Sequence, residues 1–179
     1  MTLMIDMTTV LIFAGGSSTR MGHDKSTMFG GVERILQECH NTNITRTITL
    51  CGPVTREKMF QGEVWADPED CDSLVEIISW AIDRIDGDIL LLPCDAFNLT
   101  EEGVNALLEQ GNCLPLDEFG NRQPLFARIT KRAQINLDSE SLNEMFENFP
   151  SFCDSRVASE FNNFNSQSDL KNHRLQSHR

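Results

Sequence analysis

The chain has 179 residues, 40% of them hydrophobic and 23% charged; these are the proportions of an ordinary globular domain and exclude a disordered, collagenous or fibrous chain. At roughly 150 residues per domain it makes one domain with a full core. Fifteen Lys and Arg against 27 Asp and Glu give a net charge of −12, the wrong sign for gripping a nucleic-acid backbone or an anionic membrane surface, so neither is expected as a partner.

The acid is concentrated in the middle third. Residues 61–120 carry fifteen acidic and one basic side chain. Most of such a run is read as a solvated face, with the alternative that some carboxylates hold a divalent cation for a phosphate substrate. The six cysteines, at 39, 51, 71, 94, 113 and 153, include no Cys-x-x-Cys pair and have no His at metal-ligand spacing from any of them, which argues against zinc. The longest early apolar run, Val10 to Ala14, is too short for an export signal or a membrane span. A cytoplasmic location is therefore expected, with reduced thiols serving mostly as core fillers.

In chain order, residues 1–7 read as an N-terminal extension. Thr8 to Ala14 is a β-branched, apolar run ended by Gly15-Gly16, a buried strand entering a tight loop that continues to about Lys25. Residues 32–40 predict a helix, Thr45–Leu50 a second strand closed by Gly52-Pro53, and Val64–Ala66 a short third strand stopped by Asp67-Pro68. Leu74, Ile77, Ile78, Ala81, Ile82 and Ile85 draw an apolar helical stripe, started by a capping box of Ser73 and Glu76. Ile89–Leu92 is a wholly apolar strand, and Thr100 is placed to cap a helix packing through Val104, Leu107 and Leu108.

This alternation predicts an α/β, Rossmann-like domain, a mostly parallel twisted sheet with helices on both faces. In the C-terminal half, turn chemistry at Asp117–Asn121 and alternation at Leu125, Ala127 and Ile129 predict a small antiparallel addition. Leu142, Met145, Phe146 and Phe149 mark a helix, and Ser166 with Asp169 starts a last one. The domain is expected to span residues 8–171, with a frayed tail at 172–179.

In an open parallel sheet, ligands sit beyond the carboxyl ends of the strands. Two strand ends carry unusual chemistry: Gly15 to Lys25, with Gly16, Arg20, Gly22 and His23, and Pro93-Cys94-Asp95. Glycines let backbone N–H groups approach phosphate oxygens, and Arg20 and Lys25 add fixed positive charge. The spacing matches neither a Walker loop nor Gly-x-Gly-x-x-Gly, and a tight turn with surface cations is the alternative reading. Asp95 can hold Mg²⁺ that bridges the phosphates; its alternative role is an N-cap for the next helix.

Phe13-Ala14-Gly15-Gly16-Ser17-Ser18-Thr19-Arg20-Met21-Gly22-His23-Asp24-Lys25 resembles the signature of the molybdenum cofactor guanylyltransferases, the MobA-like nucleotidyltransferases. Asp67, Pro93-Cys94-Asp95, Arg122-Gln123-Pro124-Leu125 and Phe161-Asn162-Asn163-Phe164-Asn165 follow in that family's order. The resemblance implies a nucleotide-diphospho-sugar-transferase-like fold. It also implies Mg²⁺-dependent transfer of GMP from GTP to the terminal phosphate of molybdopterin, with release of pyrophosphate. Carried over, Phe13, Ala14, Gly15 and Gly16 line the nucleotide, Lys25 and Arg20 serve its phosphates, Asp67 the nucleoside, Asp95 the metal, and Asn163 and Asn165 the acceptor. Asn162 is read as spacing and His23 as a loop residue. Protein partners implied are those of cofactor biosynthesis or molybdoenzyme maturation. Where the family has Gly-Pro-Leu this chain has Asp72-Ser73-Leu74, and where it often has asparagine after the second strand this chain has Cys51. The alternatives are cytidylyl or guanylyl transfer to another phosphorylated acceptor, or a catalytically weak nucleotide-binding or partner-binding module.

Overall fold

The computed structural model describes residues 7–16 and 24–164. Its strands and helices in chain order are β1 (Thr8–Phe13), α1 (Gly31–His40), β2 (Ile44–Leu50), β3 (Glu63–Trp65), α2 (Leu74–Ile82), β4 (Asp88–Pro93), α3 (Glu101–Leu108), β5 (Leu114–Pro115), β6 (Arg128–Ile129), α4 (Leu142–Met145) and β7 (Ser151–Phe152), with short 3₁₀ turns between several of them. Five strands form one sheet in the order β3-β2-β1-β4-β6. The first four run parallel and β6 is antiparallel to β4, as the C-terminal alternation predicts. β5 and β7 make a separate two-stranded parallel patch.

β1 from Val10 to Phe13 and β4 from Ile89 to Pro93 are continuous apolar runs, because both of their faces are covered there. Leu11, Ile48, Leu50, Ile89 and Leu91 pack under α2, with Val75, Ile78, Ala81 and Ile82. Val10, Ile12, Leu90 and Leu92 pack on the other face against Val32 and Ile35 of α1 and Val104 and Leu107 of α3. The register levels the carboxyl ends: Phe13 pairs with Leu50 and with Pro93, and Leu50 with Trp65. Four loops therefore leave one edge of the sheet side by side.

Several expectations are corrected in detail. β3 lies one residue earlier than its apolar run implies, because Glu63 pairs with Ile48. The α2 stripe is rotated: Val75 is buried and Leu74 is 36% exposed, since Leu74 opens the first turn directly after the Ser73 cap. The capping box itself forms in both directions. Leu125 lies in a 3₁₀ turn over Pro124–Phe126, and not in a strand, with Pro124 at its start. α4 is a single turn, and Phe146 and Phe149 reach the core from the chain beyond it.

Thr100 occupies the N-cap position of α3 without donating a cap. Its hydroxyl and amide go to the carboxylate of Glu160, at 2.8–3.1 Å, and Glu38 accepts from the Glu101 amide at 2.8 Å. Two remote carboxylates thus meet the positive end of the helix. Of the cysteines, Cys39, Cys51 and Cys113 are buried, whereas Cys71 and Cys94 are half-buried and Cys153 is exposed, so core filling accounts for half of them. Among the described residues no helix is long and apolar enough to cross a membrane. The last helix expected from Ser166 lies outside the described residues.

Candidate functional site

Gly15 follows β1, Gly52 follows β2, Asp67 follows β3 and Asp95 follows β4, so the residues singled out by sequence stand on four neighbouring strand ends. Backbone hydrogen bonds continue the sheet past its last rungs: Ala14 N to Leu50 O at 2.8 Å, Cys51 N to Trp65 O at 3.0 Å, Asp67 N to Gly52 O at 2.8 Å and Cys94 N to Phe13 O at 3.0 Å. At Gly15 the backbones touch. A Cβ there would stand 2.8 Å from both Cα and N of Gly52, and 3.0 Å from Asp67 Oδ2. Gly52, with φ of +80°, meets Gly15 in return, so this glycine pair spans two loops and allows a close approach no side chain permits. Gly16 is open and exposed.

Phe13 and Ala14 are core residues, 9% and 1% exposed. Their side chains belong to the two opposite faces of the sheet, and Phe13 O and Ala14 N and O already have protein partners.

Lys25 and Asp95 are brought together. Lys25 Nζ donates to Asp95 Oδ2 at 2.6 Å and to the carbonyl of Phe164 at 2.6 Å, with both side chains mostly buried. The Asp95 loop is pinned from α1, where Arg34 donates through Nη1 to Leu99 O at 2.5 Å and through Nη2 to Ala96 O. Asp95 does not cap a helix: its carbonyl accepts from Phe97 N at 2.8 Å, and α3 begins only at Glu101. The ring of Phe164 is held against Phe97 at 5.4 Å between centroids, and Phe97 against Phe29 at 5.1 Å. This small aromatic cluster joins the three segments that carry Lys25, Asp95 and Asn163. Burial pushes the Cys94 thiol up to about 12, aided by the Asp95 charge, so Cys94 is an inert neighbour and not a nucleophile.

Asp67 is the electrostatically unusual member. Burial raises its carboxyl pKa against the opposing pull of the Gly52 amide and the Arg56 charge. Its Oδ1 is buried without a hydrogen-bond partner, an acceptor aimed at no protein donor.

Asp95 also lines a cavity of about 340 Å³ with Arg122, Gln123, Leu142, Asn162 and Asn163. Asn163 is exposed at its mouth. Asn162 does more than set spacing: it exchanges hydrogen bonds with Glu118, donating to its carboxylate and accepting from its amide, and so ties the Asp117–Asn121 turn to the cavity wall. Arg122 is fixed by Nη2 to the carbonyls of Phe146 and Phe149, at 3.2 and 2.7 Å. Arg20, His23 and Asn165 lie outside the described residues.

Sequence reading missed Arg56. Its guanidinium donates to Ala14 O, Cys51 O, Asp24 and Ser26. The local sequence Gly-Pro-Val-Thr-Arg reads as a loop with a surface cation, and only the folded arrangement of three segments shows its partners.

A hard divalent cation needs oxygen donors. Among the described residues no group of three His, Cys, Asp or Glu side chains stands close enough to hold an ion by itself. A single carboxylate such as Asp95 nevertheless fits the way Mg²⁺ is usually held, by one or two carboxylates with substrate phosphates and water.

Residues 10–145 match the family model of the MobA-like NTP transferase domain. A protein of Synechococcus elongatus named as a probable molybdenum cofactor guanylyltransferase is 31% identical over 116 residues, 60% of each chain; a second Synechococcus protein of that name matches to the same extent. The match thus spans less than two thirds of those relatives. In fold, a protein from Aquifex aeolicus superposes with a TM-score of 0.71 at 14% identity, over 90% of this chain and 95% of the other. A nucleotidyl transferase from Methanothermobacter superposes at 0.65 and 14%, over 96% and 99%. A 4-diphosphocytidyl-2C-methyl-D-erythritol synthase from Anaerococcus prevotii superposes at 0.58 and 13%, over 98% and 100%. These structures share the nucleotide-diphospho-sugar transferase fold.

Proposed function

Because the chain belongs to the MobA-like NTP transferase family, we propose that it transfers GMP from GTP to the terminal phosphate of molybdopterin, with Mg²⁺, releasing pyrophosphate. The observation that carries this reading is the meeting of Lys25 and Asp95, 2.6 Å apart at adjoining strand ends and beside a cavity large enough for an acceptor. A scaffold has no need of a buried cation and carboxylate converging on a glycine loop.

The chemistry asks little of general acids and bases. The attacking oxygen belongs to a phosphate monoester with a second pKa of about 6, already a nucleophile at neutral pH. It forms a bond to the α-phosphorus of GTP while the bond from that phosphorus to the pyrophosphate oxygen breaks. The protein's part is to align two anions and to offset the charge that gathers on them. Lys25 and Arg20 serve the phosphates, Asp67 accepts hydrogen bonds from the nucleoside, Gly15 and Gly16 let the nucleotide lie close to the backbone, and Asn163 and Asn165 orient the acceptor. Asp95 would hold Mg²⁺, which would supply charge neutralisation to the phosphates. The reading places the protein in the cytoplasm, beside the proteins that make the cofactor and load it into molybdoenzymes.

The test is an NTP panel with molybdopterin and Mg²⁺, following pyrophosphate release and the dinucleotide product. GTP is expected to exceed CTP and ATP by roughly ten- to a hundredfold, since an unmatched buried donor or acceptor at the base edge costs about 1–3 kcal/mol. A preference for CTP would refute the guanine assignment, and no pyrophosphate with any NTP would refute the transferase. Asp95→Asn is expected to lower turnover by about 10²–10³, on the scale of losing one electrostatic contact to the transition state, while metal-free nucleotide binding is unchanged.

A further inference from the structure

We infer that Arg56 is a positioning residue that clamps both ends of the glycine loop to the sheet and thereby sets where Lys25 meets the triphosphate; this rests on the nucleotide reading above. The loop leaves β1 at Ala14 and returns at Asp24. Arg56 holds both points. Nη1 donates to the Ala14 carbonyl at 2.6 Å and to the Cys51 carbonyl at 3.2 Å. Nη2 donates to Asp24 Oδ2 at 2.5 Å and to Ser26 Oγ at 3.0 Å. The guanidinium carbon lies 5.7 Å from the centre of the Phe60 ring, so one face of the fork rests on an aromatic surface.

The return end is itself a closed unit. Asp24 Oδ1 accepts from the Ser26 amide at 3.0 Å and from its hydroxyl at 2.7 Å, and Lys25 sits between the two residues so fixed. Ser26 O then accepts from Val32 N at 3.0 Å. It lies so close to Gly31, whose φ is +48°, that a side chain there would overlap it. The chain on the far side of Lys25 is thereby anchored to the start of α1. Burial works to raise the Asp24 pKa, but the Ser26 hydrogen bonds and the Arg56 charge outweigh it and hold the carboxyl below its ordinary value. Asp24 is therefore ionised at neutral pH.

A planar fork with donors in two directions meets these four acceptors at once, which a lysine's point charge cannot do. Among the described residues, Arg56 is thus the one side chain that ties the end of β1 directly to the Asp24–Ser26 turn on which Lys25 sits. Since reacting groups need placement to within fractions of an ångström, loosening Arg56 should act on the triphosphate and spare the nucleoside.

The experiment measures binding of GTP and of guanosine to the wild-type protein, Arg56→Lys and Arg56→Ala, together with amide hydrogen exchange without ligand. In Arg56→Ala the Kd for GTP is expected to rise at least tenfold while that for guanosine stays within twofold, and Arg56→Lys falls between. Millimolar methylguanidinium should restore part of the GTP affinity to Arg56→Ala and none to Lys25→Ala. Exchange over residues 24–28 should accelerate at least tenfold with β1 to β4 unchanged. GTP affinity within twofold of wild type, or equal loss of GTP and guanosine, would overturn the clamp. If the wild-type protein binds no NTP, the nucleotide reading falls, and the clamp is then judged on exchange alone: unchanged rates over 24–28 overturn it, and local acceleration supports it.

Discussion

The two sides of the β1–β4 seam are built by different means. On the β3-β2-β1 side the loops are joined backbone to backbone, through Ala14, Cys51 and Asp67 amides and the touching pair Gly15 and Gly52. On the side that carries β5, β6 and β7 the strands are two residues long. Single polar side chains there stand in for the missing ladder. Asn112 links Thr130, Lys131 and Gln134, Asp117 closes its turn on Phe119 and Asn121, and Arg122 and Arg132 collect carbonyls from neighbouring segments. Repetitive hydrogen bonding makes a stiff base for the loops; irregular bonding lets a cavity open between short elements.

By that contrast, one side chain should matter more on the second side than almost any does on the first. Asn112 is 8% exposed, and its Oδ1 accepts from the Thr130 and Lys131 amides at 2.6 and 2.8 Å. Asn112→Ala leaves both amides unmatched, at about 1–3 kcal/mol each. We expect a loss of about 3 kcal/mol, a fall in Tm of roughly 6–12 °C, read by calorimetry. A fall under 2 °C would show that other bonds share the burden.

The corresponding probe on the first side is Gly15→Ala, since truncation has nothing to remove there. The added Cβ would lie 2.8 Å from two Gly52 backbone atoms, and the loops must part to admit it. Overpacking of this kind costs about 1–3 kcal/mol; at the middle of that range, about 2 kcal/mol, Tm should fall by roughly 4–8 °C, with weaker GTP binding. A neutral effect would mean that the two loops slide apart freely, and the contrast between the sides would lose its stiffer member.

The legibility of the sequence follows the same divide. β1, β2, β4 and α1 to α3 could be read because apolar periodicity and Gly or Pro punctuation express a two-faced core. Lys25 and Asp95 were legible as candidates because each stands directly after a glycine loop or an apolar strand. Their direct contact was not, since it joins residues 70 apart. β5 and β7 carry too few residues to show a period, and α4 is one turn whose apolar pattern continues into non-helical chain. Glu160 displaced Thr100 as the effective cap of α3 from 60 residues away. Arg56 and Asn162 were invisible for the same reason: their roles lie in partners that no local pattern announces.

Across the seam itself, Lys25 neutralises Asp95 when no nucleotide is present. A cation seeking Asp95 must displace an ammonium at 2.6 Å. Lys25→Met removes that competitor and keeps the length of the side chain. Binding of Mn²⁺ without nucleotide, followed by the loss of the free-ion signal in electron paramagnetic resonance, is expected to tighten about fivefold to tenfold, or about 1–1.4 kcal/mol. Asp95→Asn in the same background should abolish the gain. Equal Mn²⁺ affinity in wild type and Lys25→Met would show that the ion pair does not guard the carboxylate.

The smallest effect expected is at Asp67, where the stiff side carries an unfavourable charge. Its folded pKa is raised above the ordinary value of 3.8, first by burial, and its Oδ1 has no partner. A raised carboxyl pKa means that the folded protein holds its proton more tightly than the unfolded chain does. This group's contribution to stability is therefore fully present below about pH 3.8, the unfolded value, and is lost as pH rises through the folded pKa. Asp67→Asn has no such dependence. The difference in Tm between variant and wild type should be near zero at about pH 3.5 and grow in the variant's favour as pH approaches 7, reaching about 1–2 °C on the scale of a few tenths of a kcal/mol. On the nucleoside contact proposed for Asp67, GTP affinity should fall in the same variant, through loss of a charged acceptor. That opposition of stability and binding is expected where a site keeps an unsatisfied group for its ligand. A variant that is less stable than wild type at pH 7 would instead make Asp67 a structural residue, and would move the nucleoside contact elsewhere along the strand ends.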